Sequence, residues 1–343
     1  MRRVAAKIGP SADRSNPMLV ACSTPCALRR SVGSYPVLSL RLGIASLPCL
    51  LRLPLTMGKK GKKALAGKPK KLTPKDVGKR LDVLMRKLEE ELEGADLFAP
   101  LPPTEDCAIC LVTLSHVSSE KLHQACCGNE ICWACYKEHK ESIKKQNAAK
   151  TGKKLGFTCP FCRESEPTPD EELARLQARC LQNDHIALKL MGGVYLRGEP
   201  EIPKDYLKAL DYFIQAVELG SAGACTFIGT SYVKGNGVSV NKERAALFDR
   251  IGALRGDIQG RHNVGCSEYY NLGNHEIGIR HWKIAAEAGH QPSLDALRDI
   301  YNDKEPGKEF ISTEYLESTY RACHEAQMEV KTEEREKHRE EEE

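Results

Sequence analysis

Apolar residues recur at helical spacing among the charged residues of the stretch 73–95. The apolar positions are Val77, Leu81, Leu84, Leu88 and Leu92. They fall on one face of a helix, since an α-helix has about 3.6 residues per turn. Thr73 and Pro74 are typical of a helix start, and Gly94 is typical of a helix end. We predict an amphipathic helix whose apolar stripe packs on the cysteine-rich segment that follows or on the C-terminal helices.

A second helical pattern covers residues 170–330, and it repeats. A spacing of Gly, Tyr and Gly at 192, 195 and 198 returns at 229, 232 and 235, and more loosely at 265, 269 and 273. Each set precedes a helical stretch that ends in glycine, namely 209–220, 245–256 and 279–289. A period in the thirties is typical of helix-pair repeats, which stack into a solenoid with a concave groove. Stretches 294–301 and 315–328 are predicted to close it.

The two ends of the chain are charged and lack these patterns. Asp13 is the only acidic residue before Lys75, while the chain closes on a charged tail at 331–343. We expect residues 1–72 to be a disordered basic extension, and two interpretations of its first part stay open. Translation begins at Met57, or residues 1–56 are an organelle-targeting peptide, which is the less favoured interpretation.

No membrane span is predicted in the apolar stretch 37–56. Arg41, Pro48, Arg52 and Pro54 interrupt it, and a charge near the bilayer centre is costly. The lysine-rich run 58–71 fits nuclear import or phosphate contact, but a solubilising tail explains it equally simply. Nucleic acid is therefore not a favoured partner, and we expect a cytoplasmic or nuclear protein.

Eight of the 15 cysteines fall in four pairs in the middle of the chain. The pairs are Cys107 and Cys110, Cys126 and Cys127, Cys132 and Cys135, and Cys159 and Cys162. Two thiolates separated by two residues can reach one zinc ion from a tight turn, and eight thiolates complete two tetrahedral sites. The segment has few large apolar residues, so bound metal would supply its folding energy. We predict two structural zinc ions in residues 104–166.

The cysteine block resembles a RING domain, the two-zinc module of ubiquitin ligases, which contains a short β-hairpin and a helix. The resemblance implies that alternate pairs share an ion. Cys107, Cys110, Cys132 and Cys135 would hold one zinc, and Cys126, Cys127, Cys159 and Cys162 the other. It also implies that Ile109, Pro160 and Arg163 contact a ubiquitin-conjugating enzyme, with the arginine also touching its bound ubiquitin.

Two features depart from the common RING pattern. Asn129 stands where that pattern has a histidine, which makes the block similar to an all-cysteine variant. Adjacent ligands are sterically awkward, so His123 in place of Cys126 remains an alternative. The segment 136–158 is interpreted as a long lysine-rich loop, either a simple insertion or a surface that steers an acidic partner. Trp133 is interpreted as a packing anchor, and the histidines of the repeats as surface or capping residues.

The helical region resembles Sel-one-like repeats, relatives of the tetratricopeptide class, over about residues 184–289. The combination with a RING-like module looks like that of diatom-type proteins in which a lysine-rich start precedes the zinc module. The expected fold is therefore mainly α, a small two-zinc module joined to an α-solenoid.

The resemblances imply a ubiquitin ligase without a covalent intermediate. Its zinc module would bind a ubiquitin-charged conjugating enzyme, and its repeats an unknown protein substrate. The alternative is a non-catalytic scaffold in which zinc only stabilises the fold.

Overall fold

The computed structural model describes residues 72–117, 121–148, 155–199, 202–303 and 306–329. The α-helices are α1 (Pro74–Leu92), α2 (Trp133–Ala148), α3 (Pro169–Cys180), α4 (His185–Arg197), α5 (Tyr206–Glu218), α6 (Ala222–Lys234), α7 (Lys242–Leu254), α8 (Ile258–Cys266), α9 (His275–Glu287), α10 (Gln291–Asp303) and α11 (Thr313–Glu329). Strands β1 (Lys121–His123) and β2 (Glu130–Cys132) form one antiparallel hairpin. The protein is thus mainly helical, as the sequence predicts.

Several predictions concern segments outside these ranges. The basic extension before Leu72, the stretch 37–56 and the tail 331–343 lie outside the described residues. Among the helices that the structure does describe, none combines the length and apolar character needed to cross a membrane.

Helix α1 is the amphipathic helix that the leucine pattern predicts. Thr73 caps it by accepting a hydrogen bond from the backbone N–H of Asp76 at 3.2 Å. Its stripe (Val77, Leu81, Leu84 and Leu88) is 0–3% exposed and packs against α5 and α7. Of the two predicted partners, the C-terminal helices are therefore the one that receives the stripe. Burial of each such side chain stabilises the fold by about 1.5–3 kcal/mol.

Helices α4 to α9 form three successive antiparallel pairs, each joined to its neighbour by apolar contacts. Glycines allow the paired helices to approach closely: Gly192 faces the Phe213 ring and Gly265 faces Trp282. Side chains such as Asp184 and Asp257 cap the next helices by accepting backbone hydrogen bonds. The third repeat, whose Gly–Tyr–Gly spacing is longer in the sequence, also differs in structure, because α8 continues into a π-helix over residues 267–271.

The cysteine-rich module contains the β-hairpin and α2. Strand β1 pairs with β2 in the register Lys121 to Cys132 and His123 to Glu130. The prediction of a loop over 136–158 is wrong for its first half, which is helical to Ala148. This segment is rich in good helix formers, and Lys144 pairs with Glu141 one turn away at 2.6 Å. Residues 149–154 lie outside the described ranges.

The linker between α1 and the first cysteine lies on the repeats. The carbonyl oxygen of Leu97 accepts a hydrogen bond from buried Arg261 at 2.5 Å. The Phe98 ring lies between the Arg280 guanidinium, 3.9 Å from its centroid, and the His281 ring at 4.7 Å. These contacts hold the start of the module against α8 and α9.

Candidate metal centre

Two turns of the same geometry present the first and last cysteine pairs. In the first, the N–H of Cys107 donates to Val112 O at 2.8 Å and that of Leu111 to Cys107 O at 2.9 Å. In the second, Cys159 N–H donates to Glu164 O at 2.7 Å and Arg163 N–H to Cys159 O at 3.0 Å. We call residues 107–112 and 159–164 the first and second knuckle.

Each knuckle requires an uncommon backbone conformation. Leu111 and Arg163 occupy the same place, directly after the second cysteine, with φ of 58° and 65°. A non-glycine residue rarely adopts this left-handed region without a local reason. Here the positive φ closes the turn so that both thiols of a pair point to the same side.

The first tetrad joins the first knuckle to the hairpin and α2. It consists of Cys107, Cys110, Cys132 and Cys135, whose sulfurs lie within 4.8 Å of one another. The backbone N–H of Cys132 donates to Cys107 Sγ at 3.3 Å, and that of Cys135 to Cys132 Sγ at 3.4 Å. Three of the four residues are buried.

The second tetrad joins the second knuckle to the doublet that follows β1. It consists of Cys126, Cys127, Cys159 and Cys162, again with all sulfurs within 4.8 Å. Gly128 follows the doublet with φ of 80°, and its N–H donates to Gln124 O at 2.7 Å. This tetrad is less enclosed, since Cys159 is buried but Cys162 is exposed. Alternate pairs therefore come together, in the grouping that the RING resemblance implies.

The sulfur positions fit a zinc ion in both tetrads. With Zn–S bonds of about 2.3 Å, the sulfurs of a tetrahedral site lie about 3.8 Å apart. The Cys110–Cys132 and Cys127–Cys159 sulfurs are 3.9 and 4.0 Å apart, and the Cys126–Cys162 sulfurs are 3.4 Å apart. All-thiolate sets are typical of structural zinc with no position left for water. Both tetrads can therefore hold a metal ion.

The thiols of the first tetrad shift one another's pKa values in opposite directions. Hydrogen bonding from Cys110 lowers the pKa of Cys107, while hydrogen bonding to Cys107 raises the pKa values of Cys110 and Cys135. Four crowded sulfurs thus favour one thiolate at the expense of its neighbours. A divalent cation would allow all four to be thiolates, because it compensates their mutual repulsion.

His123 is not part of either tetrad. Its imidazole Nε2 lies 3.3 Å from Asp184 Oδ2, and its side chain is 3% exposed. Burial lowers its pKa, with Asp184 acting in the opposite direction. The structure thus groups Cys126 with the second tetrad and places His123 against the first turn of α4.

The three residues predicted to contact a conjugating enzyme all lie on the knuckles. Ile109 is 40% exposed, Pro160 is half-buried and Arg163 is exposed. Sequence reasoning missed two further exposed side chains of the knuckles, Leu111 at 76% and Phe161 at 49%. Their exposure could have been recognised from the sequence, because a residue inside or directly after a closely spaced cysteine pair lies on the surface of the turn that the pair forms.

Trp133 is both a packing and a surface residue. Its ring stacks on Tyr136 at 5.3 Å, as expected of an anchor, yet the residue is 40% exposed. Tyr136 meets Phe157 edge-on at 5.4 Å, and His139 Nε2 lies 2.9 Å from Thr158 O. These contacts tie α2 to the residues immediately before the second knuckle.

The prediction that the repeat histidines are surface or capping residues is wrong for His281, which is buried within α9. His290 is also buried, but it directly precedes α10, and its carbonyl oxygen accepts from the N–H groups of Ser293 and Leu294 as a capping residue does. The two histidines are 1% and 8% exposed. His290 Nδ1 lies 2.9 Å from Ser293 Oγ, which also lies 2.9 Å from His262 Nδ1. Burial lowers the pKa of His281 and of His262 to about 4, and that of His290 to about 3. An imidazole in a helix gives no sequence signal that separates burial from capping.

Comparison with known proteins identifies the repeats. Residues 185–221, 222–248 and 262–290 match the family model of the Sel1 repeat, which confirms the predicted repeat region. These matches lie outside the cysteine-rich module. A search of curated proteins finds no match.

Two solved structures of Sel1-type proteins are similar to about half of the chain. A Sel1 repeat protein from Oxalobacter formigenes is 25% identical, with a TM-score of 0.41 over 48% of this chain and 67% of its own. A protective antigen of uropathogenic Escherichia coli with an SLR fold is 26% identical, with a TM-score of 0.37 over 45% of this chain and 33% of its own. The family-model match shows that the chain contains Sel1 repeats, which are typical of a helical scaffold for protein–protein interaction.

Proposed function

We propose that the chain is a RING-type ubiquitin ligase. Its cysteine module would hold two structural zinc ions and bind a ubiquitin-charged conjugating enzyme, while its repeats recruit a protein substrate. The observation that carries the proposal is the grouping of the tetrads, in which alternate cysteine pairs meet and both knuckles stay exposed. Zinc would supply folding energy and no reactive water, because all its positions would be filled by thiolates.

The exposed knuckle residues support the binding role. Ile109 and Phe161 each present an apolar side chain on a turn that zinc would hold rigid. Contacts with the helical region involve other residues: Pro102 and His116 lie near Gly256, and Val117 lies near Gly289. At the end of the second knuckle, Glu164 Oε1 lies 3.4 Å from Arg175 Nη2 of α3. A conjugating enzyme can therefore use the knuckles without displacing the repeats.

Arg163 fits a positioning role. Its left-handed backbone places it at the end of the second knuckle with its side chain exposed. A ubiquitin tethered by a flexible tail samples many orientations, and fixing one of them presents the thioester carbonyl to an incoming lysine. A planar guanidinium can donate to two protein surfaces at once, which suits a residue that holds ubiquitin against its carrier.

Autoubiquitination with a panel of conjugating enzymes tests the proposal. We expect wild type with bound zinc to build ubiquitin chains with at least one enzyme of the panel. Ile109→Ala should reduce binding of that enzyme, and Arg163→Ala should reduce chain formation more than binding. Leu181→Ala is the matched control, because Leu181 is 85% exposed but lies on the repeat side, after α3.

Two results would contradict the ligase. The first is that wild type with full zinc content forms no ubiquitin chains with any enzyme of the panel. The second is that the Ile109 and Arg163 variants bind and form chains as the Leu181 control does. The scaffold alternative would then stand, since the Sel1 repeats support protein binding without catalysis.

A further inference from the structure

Helix α2 carries a basic and aromatic surface that neither the zinc sites nor the repeats account for. It begins within the first tetrad, and it contains four lysines and two glutamates. Lys137 Nζ lies 5.8 Å from the centroid of the Trp133 ring, and Lys140 Nζ lies 5.7 Å from that of Tyr136. Both lysines are exposed, and each is one helical turn from its ring.

The same surface leads to the second knuckle. Tyr136 contacts Phe157, and Lys140 Nζ also lies 5.5 Å from the Phe157 ring centroid. Asn147 near the end of α2 exchanges two hydrogen bonds with the backbone of Leu155, at 2.9 and 2.6 Å. Phe157 precedes Pro160 and Phe161 by three and four residues. A row of rings therefore leads from the two ammonium groups to Phe157, which lies directly before the second knuckle in the chain.

We infer that Lys137 and Lys140 form the rim of the conjugating-enzyme site and select an enzyme with an acidic surface beside its apolar contact. This inference rests on the proposed ligase function and adds the charge of the partner. Rim charges of opposite sign accelerate encounter and suppress wrong partners, whereas the apolar centre sets the lifetime of the complex.

A protein fits this surface better than a nucleic acid. The faces of Trp133, Tyr136 and Phe157 are partly covered by one another and by the two lysines, and the exposed aliphatic residues Ile109 and Leu111 offer no stacking face to a base. An interface with an apolar centre and a charged rim is usual between proteins.

Association kinetics with full-length, zinc-loaded protein test the inference. The probes are ubiquitin-charged conjugating enzymes of differing surface charge and a single-stranded oligonucleotide, each at low and at physiological salt. The variant is K137E/K140E, and the matched control is K234E/K242E, which reverses two exposed lysines of the repeats. Zinc content is measured on every protein, so that a misfolded module is recognised.

We expect K137E/K140E to slow association with an acidic conjugating enzyme about tenfold or more at low salt. Dissociation should change little, and the control should stay within about twofold of wild type. Replacing acidic residues of that enzyme by lysine should restore association with K137E/K140E, a rescue that a merely damaged module would not show.

The remaining outcomes overturn the inference and separate it from the ligase proposal. If K137E/K140E still forms ubiquitin chains and associates with the enzyme as fast as wild type, the charged rim is rejected and the ligase proposal is retained. Oligonucleotide binding that K137E/K140E abolishes would assign the surface to nucleic acid. Binding of no conjugating enzyme by zinc-loaded wild type would reject both proposals together.

Discussion

The cysteine module and the repeats bury different kinds of side chain. The module's core consists largely of cysteines together with Leu114 and Ile131. The repeats bury aromatic and branched side chains such as Phe213, Phe248 and Trp282, all 0% exposed. The first kind of core cannot hold a fold without ligands on its thiols, whereas the second needs only packing. On the proposed function, one chain joins a metal-dependent binding surface to a support that needs no metal.

Removal of zinc should give the largest effect and should act on one region only. Structural zinc supplies an apparent folding free energy of roughly 10–16 kcal/mol, so chelation or Cys132→Ala should unfold the module. Hydrogen exchange should show loss of protection at Leu114 and Ile131, while α5 and α7 keep theirs. Cys180→Ala is the control, since Cys180 belongs to neither tetrad.

Retention of module protection after complete chelation would contradict that expectation. It would mean that contacts with the repeats, such as those of Phe98, hold the module without metal.

Acidification should weaken the repeats through their buried histidines. His281 and His262 have their pKa lowered to about 4 and His290 to about 3, so the folded state keeps all three neutral. The unfolded chain binds the extra protons below about pH 6.5. Stability is therefore complete above that pH and falls as the pH drops towards the folded-state values. The loss between pH 7 and pH 5 is about 2 kcal/mol per histidine.

Hydrogen exchange of α8 to α10 measures this loss separately from any loss of zinc. His281→Leu should flatten the pH profile, because it removes one titrating group from the Phe98 contact. A profile that is level between pH 7 and pH 5 in wild type would contradict the expectation, because it would show that these imidazoles take up protons as readily in the folded as in the unfolded chain.

The sequence predicts α1 and the helices of the repeats for a local reason. The stripe of α1 and the recurring glycines of the repeats are periodic, and periodicity follows directly from helix geometry. It also predicts the grouping of the tetrads through a family resemblance, since spacing alone leaves the partner of each pair open. What it does not show is long-range: α1 lies on α5 and α7, and Phe98 lies between Arg280 and His281.

Helix α2 shows a different limit. Its residues are good helix formers, but the lysine-rich composition and the missing apolar stripe favour a solvated loop. Only the surroundings decide the outcome: the helix starts in the first tetrad, and Asn147 ties its last turn to Leu155. Charge patterns on a surface helix are therefore weak evidence for its structure.

Close packing in the repeats predicts a smaller effect at a single glycine. A Cβ at Gly265 would lie 2.6 Å from Trp282 Cδ1 and 3.1 Å from Gly278 O, so Gly265→Ala must displace a buried ring. We expect a loss of about 1–3 kcal/mol in the free energy of unfolding, measured by urea titration. The control is Gly78→Ala in α1, where no atom beyond the adjacent residues and the local helix backbone lies within 4 Å of the new Cβ. That change should instead add up to about 1 kcal/mol of stability. Equal effects at the two positions would contradict the packing argument.

The smallest expected effect concerns the ion pairs between α1 and the repeats. Arg255 donates to Glu91 through two nitrogens at 2.8 and 2.7 Å, but Glu91 is about a third exposed and Arg255 also donates to Val217 O. Glu91→Gln should therefore cost no more than about 1 kcal/mol, and the cost should shrink as salt is added. Leu88→Ala on the same helix should cost about 2–5 kcal/mol at any salt concentration, because it opens a cavity in the buried stripe. Urea titrations of both variants at two salt concentrations compare the contributions of the ion pair and of the apolar stripe to the free energy of unfolding. A cost for Glu91→Gln that equals that of Leu88→Ala would mean that charge, and not the apolar stripe, holds α1 on the repeats.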